Sequence, residues 1–178
     1  MSEVLYTVLI AAVALERLAE LVVSKRNASW SFERGGVETG QRHYLVMVVL
    51  HTGLLVGCLL EVWLLHPGFH PWLGYPMLAL VVASQALRWW CIATLGRRWN
   101  TRVIVVPGLP LVTGGPYRLT SHPNYVAVVV EGLALPLVYS AWITALVFTA
   151  CNAVLLTVRL RVENAALAAA APATTATT

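Results

Sequence analysis

The sequence has no aspartate and a single lysine, Lys25. Only 11% of its residues are charged, 58% are hydrophobic, and the mean hydropathy is +0.73. So little charge excludes an ordinary soluble domain and, at 178 residues, describes one membrane-embedded domain. The net charge of +4 is carried almost entirely by eleven arginines. Their place between apolar runs marks the cytoplasmic side of a membrane protein and argues against a nucleic-acid surface. Cysteine is scarce as well. Cys58, Cys91 and Cys151 lie far apart within apolar segments, which excludes a metal site by spacing and complete pairing within one chain. Each reads as a small buried apolar residue. There is no internal repeat. The N-terminus lacks a basic region and a small-residue cleavage site, so the first apolar segment reads as a retained helix rather than a signal peptide.

Apolar runs near the ~20 residues that cross a bilayer lie at 4–23, 44–65 and 72–95. Two more follow at 125–139 and 141–158. The fourth is short, roughly 22 Å at 1.5 Å per residue, and Pro136 kinks or ends it. The fifth begins after almost no loop, so the last two form a tight antiparallel hairpin. The expected fold is an all-α integral membrane protein of about five transmembrane helices, one domain over 1–164. An Ala/Pro/Thr-rich tail over 165–178 is disordered at its end.

Glu16, Arg17 and Glu20 sit in the first span, either as an interfacial ion pair or turned toward a site. Residues 24–43 read as a polar loop along the interface. His43 and His51 share a helical stripe without making a metal site. Residues 96–124 form the longest non-spanning stretch, in which 103–106 is a short extended piece broken by Pro107-Gly108. The basic residues Lys25, Arg26, Arg34 and Arg42 precede the second span; Arg97, Arg98, Arg102 and Arg118 follow the third; Arg159 and Arg161 follow the last. Five spans with the N-terminus outside put all of them on the cytoplasmic side. Segments 96–124 and 159–163 then share a face and can meet in one cytoplasmic pocket.

The densest chemistry lies at 114–131, GGPYRLTSHPNYVAVVVE. Gly114 and Gly115 permit a tight turn, Ser121 can cap a helix and Pro123 suits its first turn. That helix N-terminus, with Arg118 and His122 beside it, suits an anionic ligand group. A polar loop that merely caps a membrane helix satisfies the same residues. Glu131, inside the apolar helix, is a functional candidate or a hydrogen-bonded structural group. Asn152 reads as a helix–helix hydrogen bond. Glu163 must pair with the neighbouring arginines or bind something.

Gly115-Pro116-Tyr117-Arg118-x-x-x-His122-Pro123-x-Tyr125, then two apolar helices and Arg159-x-x-x-Glu163, resembles the isoprenylcysteine carboxyl methyltransferase family over about 95–167. Leu95-Gly96-x-x-Trp99-Asn100-Thr101, Ile104-Val105-Val106-Pro107-Gly108 and Gly35-Gly36-x-Glu38-x-Gly40-x-x-His43-Tyr44 extend the resemblance to a bacterial subgroup associated with type III polyketide synthases. Ser121 stands where the family usually has Arg, Ala127 where Gly is common, and Asn164 where a second Glu is usual. These departures fit a non-peptide lipid acceptor.

The resemblance implies an S-adenosylmethionine-dependent O-methyltransferase of the bacterial cell membrane. Its acceptor would be lipophilic, most closely an alkylpyrone or alkylresorcinol, methylated on an enol, phenol or carboxylate oxygen. It implies cofactor binding by Gly115, Tyr117, Arg118, His122, Pro123, Asn124, Tyr125 and Glu163. Arg159 would orient the acceptor anion, and Glu131 or Glu163 would act as base. Membrane lipids and the lipid acceptor are the implied partners; no nucleic acid and no metal enter. His122-Pro123-Asn124-Tyr125 also resembles the NADPH-binding motif of membrane steroid 5-alpha-reductases, but Val128 stands where those carry an acid. A non-catalytic membrane scaffold is the third reading.

Overall fold

A computed structural model describes residues 1–170. Five helices carry the fold: α1 (Glu3–Phe32), α2 (Gln41–Leu65), α3 (Pro71–Leu95), α4 (Pro123–Leu137) and α5 (Trp142–Ala170). Between them, β1 (Val37–Thr39) and β2 (Val103–Val105) pair antiparallel with Glu38 opposite Ile104. The extended piece expected near 103–106 is this second strand. The protein is a helical membrane protein with one small antiparallel pair of strands, distant in sequence, added.

Three segments, His43–Leu65, Pro71–Arg98 and Trp142–Ala170, are long and apolar enough to cross a membrane. Each contains a long apolar stretch, and many of their Leu, Val and Trp side chains face outward, as lipid-facing helices require. α4 is only 15 residues long, and α1 carries charges within its apolar stretch. A core around Tyr6, Leu54, Val62, Leu135 and Phe148 is joined by small and polar buried residues: Ser24, Asn27, Ala28 and Ser31 on α1, Ser84 and Cys91 on α3, Ala127 and Ala134 on α4. Small side chains let helix backbones approach where lipid supplies no hydrophobic drive for association.

The α4–α5 connection is as tight as the sequence implies. Ala141 N donates to Pro136 O at 3.0 Å and Ser140 takes φ +58°. Glu61 of α2 then reaches the start of α5, accepting from Ile143 N at 3.0 Å and Thr144 N at 2.7 Å. Gly132 is required at the α4–α5 contact, since a Cβ there would stand 2.0 Å from the Phe148 ring.

Two expectations are corrected. Residues 24–32 are helix, not loop: α1 runs on to Phe32. Ser24, Asn27 and Ser31 are turned inward rather than toward water, while Lys25, Arg26 and Ser29 stay exposed. Asn27 Nδ2 donates to Trp99 O at 2.7 Å and to Gly96 O at 3.1 Å, and Ser24 Oγ accepts from Thr101 N at 3.0 Å. The helix therefore continues because its polar face is used to hold residues 96–101. Likewise α5 extends past residue 158 to Ala170, so Arg159 and Glu163 lie one turn apart on a helix. The expectation for 171–178 falls outside the described residues.

Candidate active site

Segment 96–122 crosses the end of the bundle where α1, α4 and α5 present their polar turns. It enters through a 3-10 turn at Gly96–Arg98 and leaves through another at Gly115–Arg118. Gly115 has φ +53°, and a Cβ would lie 2.5 Å from Thr94 Oγ1, so only glycine lets this turn seat against α3. Between the segment and the helix ends is a cavity of about 460 Å³.

One wall is the start of α4. Its N-cap is His122 rather than Ser121, and no side chain caps it. His122 stacks on Tyr125, ring centroids 5.5 Å apart. The opposite wall is the last third of α5. His122 Nε2 lies 2.9 Å from Asn164 Oδ1 and therefore donates to it; Nδ1 faces Glu163 Oε1 at 3.6 Å. The Tyr125 hydroxyl donates to Glu163 Oε2 and accepts from Arg159 Nε at 3.0 Å. Arg159 also donates to the Thr101 carbonyl, which ties α5 to the crossing segment. Residues far apart in sequence thus form one network. Tyr117 stands beside it, its hydroxyl pushed up from the usual tyrosine range by burial and by the neighbouring Cys91 thiol, so it stays neutral.

Among the residues expected to bind a cofactor, Tyr117, His122, Asn124, Tyr125 and Glu163 line this cavity. Gly115, Arg118 and Pro123 do not. Pro123 is buried in the first turn of α4, and Arg118 is exposed outside the cavity. The cations in the wall are instead Arg98, Arg102 and Arg159. Arg98 Nη1 donates to Pro110 O at 2.6 Å; Arg102 stands over the Tyr44 ring and 3.5 Å from Glu38. Asn100, Trp99 and Asn164 were also missed as wall residues. The first two fall in the motif that carried the resemblance, and Asn164 is the departure from the second Glu.

Three buried polar atoms of the wall have no hydrogen-bond partner: Trp99 Nε1, Asn100 Nδ2 and Asn124 Oδ1. Buried groups of this kind are rare in native proteins and mark places where a ligand's polar atoms complete the bonding.

Glu131 is elsewhere. It is buried between α1, α3 and α4, where its Oε2 accepts from both Arg17 and Arg88. Arg17 also donates to Glu20 at 2.7 Å and to Gln85 Oε1 at 3.2 Å. Arg17 and Glu20 are therefore members of a four-residue ion cluster inside the bundle, with Glu16 left outside it to accept from Trp89 Nε1 at 2.6 Å. A carboxylate held by two guanidiniums and outside both cavities is not placed to serve as a base.

A second cavity, about 160 Å³, lies among α1, α2, α4 and α5. Val48, Leu55, Leu155 and Leu156 give it apolar walls, and Asn152 lines it too. Trp99, Asn124, Tyr125 and Arg159 line both cavities, so the Tyr125–Arg159 pair is the partition between them. Among the described residues there is no group of three or more His, Cys, Asp or Glu that could hold a metal ion.

The family profile described as Isoprenylcysteine carboxyl methyltransferase (ICMT) family matches residues 77–169. The chain is 38% identical over 164 residues to the uncharacterized protein YpbQ of Bacillus subtilis, covering 92% of this chain and 96% of that one. It is 22% identical over 152 residues to an uncharacterized protein of Haemophilus influenzae, covering 85% and 88% respectively. No solved structure matches it.

Proposed function

Because the chain belongs to the isoprenylcysteine carboxyl methyltransferase family of membrane methyltransferases, we propose that it transfers a methyl group from S-adenosylmethionine to an oxygen of a lipid-like acceptor. The observation that carries this reading is the pair of cavities divided by Tyr125 and Arg159. One is large, with polar and charged side chains set among apolar ones, and the other is small and more apolar, as a cofactor and a lipid head meeting at one atom require.

The larger cavity fits the cofactor by its chemistry. A volume of about 460 Å³ falls within the ~300–1,000 Å³ usual for small-molecule sites. Asn124 Oδ1 and Glu163 are acceptors for amino and ribose hydroxyl groups, and Trp99 Nε1 and Asn100 Nδ2 are unused donors. Arg98 and Arg102 replace Arg118 as the cations for the carboxylate. When bound, S-adenosylmethionine supplies a methyl group on a sulfonium with a good neutral leaving group.

The chain's own part is positioning. Arg159 holds the acceptor oxygen as it carries negative charge. A carboxylate needs no base. An enol or phenol gives its proton to the Tyr125 oxygen as the Tyr125 hydroxyl proton passes to Glu163 Oε2, along the hydrogen bond already formed there. Glu131 has no part in this step.

The subgroup resemblance supports an alkylpyrone or alkylresorcinol acceptor, made available by a type III polyketide synthase. All five helices are taken to enter the bilayer of a bacterial cell membrane with the N-terminus outside. Supporting this, Lys25, Arg26, Arg34, Arg97, Arg98 and Arg102 all belong to the cavity end of the bundle, so the positive-inside rule makes that end cytoplasmic.

The test is transfer of labelled methyl from S-adenosylmethionine to alkylpyrones, alkylresorcinols and prenylcysteines in membranes carrying the protein. Label in an extracted lipid, lost in Tyr125→Phe membranes, is the expected result. Absence of transfer to every acceptor class contradicts the proposal.

A further inference from the structure

The ion cluster that borders the smaller cavity does not close on itself. Arg17, Glu20 and Arg88 all line that cavity. Charges in the middle of a bundle are retained when they are paired, and here two arginines meet two glutamates. Glu131 and Gln85 satisfy part of the guanidinium hydrogen bonding. Yet Arg88 Nε and Glu20 Oε1, buried and in ion-pair contact at 3.3 Å, make no hydrogen bond to each other or to any other group. Arg88 and Glu20 are each only 4% exposed. An unused donor and an unused acceptor therefore stand side by side on two residues that line the cavity. One hydroxyl complements both, accepting from Arg88 Nε and donating to Glu20 Oε1. The balanced charge of the cluster favours such a neutral group over an anion.

The cavity's size limits what carries that hydroxyl. At about 160 Å³ it is close to the ~150 Å³ engineered cavity that takes up benzene, so it holds one six-membered ring and not a long chain. The ring's reacting oxygen belongs at the Tyr125–Arg159 partition. Its tail leaves toward Leu21 on α1 and Val48 on α2, which are 40% and 38% exposed and line the same cavity. His51 is not available as an alternative partner on its Nδ1 side, which already contacts Met47 O at 2.9 Å.

The geometry points to Glu20 and Arg88 as a second recognition site for the acceptor, one that binds a ring hydroxyl which is not the oxygen methylated. The inference rests on the methyltransferase reading for the identity of the ligand as acceptor. Glu20 lies outside residues 77–169 and Arg88 inside them, so one half of this site comes from a part of the chain that the family profile does not cover.

Affinity rather than turnover tests it. Three lipids with one tail length are titrated into the detergent-solubilised full chain: a 5-alkylresorcinol, a 3-alkylphenol and a 3-methoxy-5-alkylphenol. The resorcinol is expected to bind about tenfold tighter than either of the others. Glu20→Gln and Arg88→Lys each bring the three affinities to within about threefold of one another and leave the Kd for S-adenosylmethionine unchanged. Equal affinities in the wild-type protein overturn the inference, and that comparison needs no variant to fold. A selectivity that survives Glu20→Gln overturns it too. Resorcinol selectivity without methyl transfer to any lipid upholds the site and defeats the methyltransferase reading. Methyl transfer with equal lipid affinities does the reverse.

Discussion

Arg159 and Tyr125 stand 34 positions apart in sequence and meet at 3.0 Å, guanidinium Nε donating to phenolic oxygen on the wall between two cavities. The meeting depends on the α4–α5 hairpin, which brings the start of one helix against the end of the next. It also depends on α5 remaining helical beyond its apolar part, so that Arg159 and Glu163 point to the same side. Tyr125 is thereby held from both directions, by a cation and by a carboxylate.

Tyr125→Phe removes the hydroxyl and keeps the ring stacked on His122. Turnover on an enol or phenol acceptor is expected to fall about 100-fold, the lower range for a positioned proton-transfer group, with the cofactor Kd changed less than threefold. Steady-state kinetics beside a cofactor titration separates the two. Unchanged turnover removes Tyr125 from the proton path.

Glu163→Gln keeps the shape of the side chain and removes its charge next to His122 and Tyr125. The Kd for S-adenosylmethionine is expected to rise about tenfold, the lower end of what a hydrogen bond to a charged group contributes. An unchanged Kd by calorimetry returns Glu163 to a structural role. His122→Ala, which also loses the bond to Asn164, is expected to abolish measurable binding in a protein that stays folded in detergent.

Glu131→Gln leaves Arg17 and Arg88 without their shared carboxylate. Breaking a buried ion pair from one side costs about 3–5 kcal/mol, so the expected effect is a lowered thermal midpoint in detergent. The remaining folded protein binds cofactor normally. A full-strength thermal midpoint with lost turnover would restore Glu131 as a base.

Gly132→Ala and Gly53→Ala form a matched pair. The first drives a Cβ to 2.0 Å from the Phe148 ring and is expected to destabilise by about 1–3 kcal/mol. The second meets nothing within 4 Å and removes a helix-interior glycine, a gain of up to about 1 kcal/mol. Thermal midpoints of opposite sign check both.

The sequence made the apolar helices legible because lipid-facing segments must be apolar over long stretches, and α2, α3 and α5 each contain one. It also exposed His122-Pro123-x-Tyr125 and Glu163, since polar groups stand out beside such runs. It misread Ser24, Asn27 and Ser31 as loop residues. Polarity alone does not say whether a serine faces water or the carbonyls of a chain crossing overhead. No local pattern assigns Arg88 a role, because its partners, Glu131 and Glu20, lie on other helices. Arg118 looked like part of the site by its nearness to His122, whereas the 3-10 turn exposes it and Arg98 and Arg102 face the cavity instead. Each miss concerns the direction in which a side chain points once helices pack, which no local pattern carries.

The most direct measurement is a titration of the detergent-solubilised wild-type protein with S-adenosylmethionine and, separately, NADPH. Saturable binding of S-adenosylmethionine, weakened in Glu163→Gln and absent in His122→Ala, is the result expected, with no binding of NADPH. Saturable binding of NADPH alone would contradict the account and make His122-Pro123-Asn124-Tyr125 a reductase site.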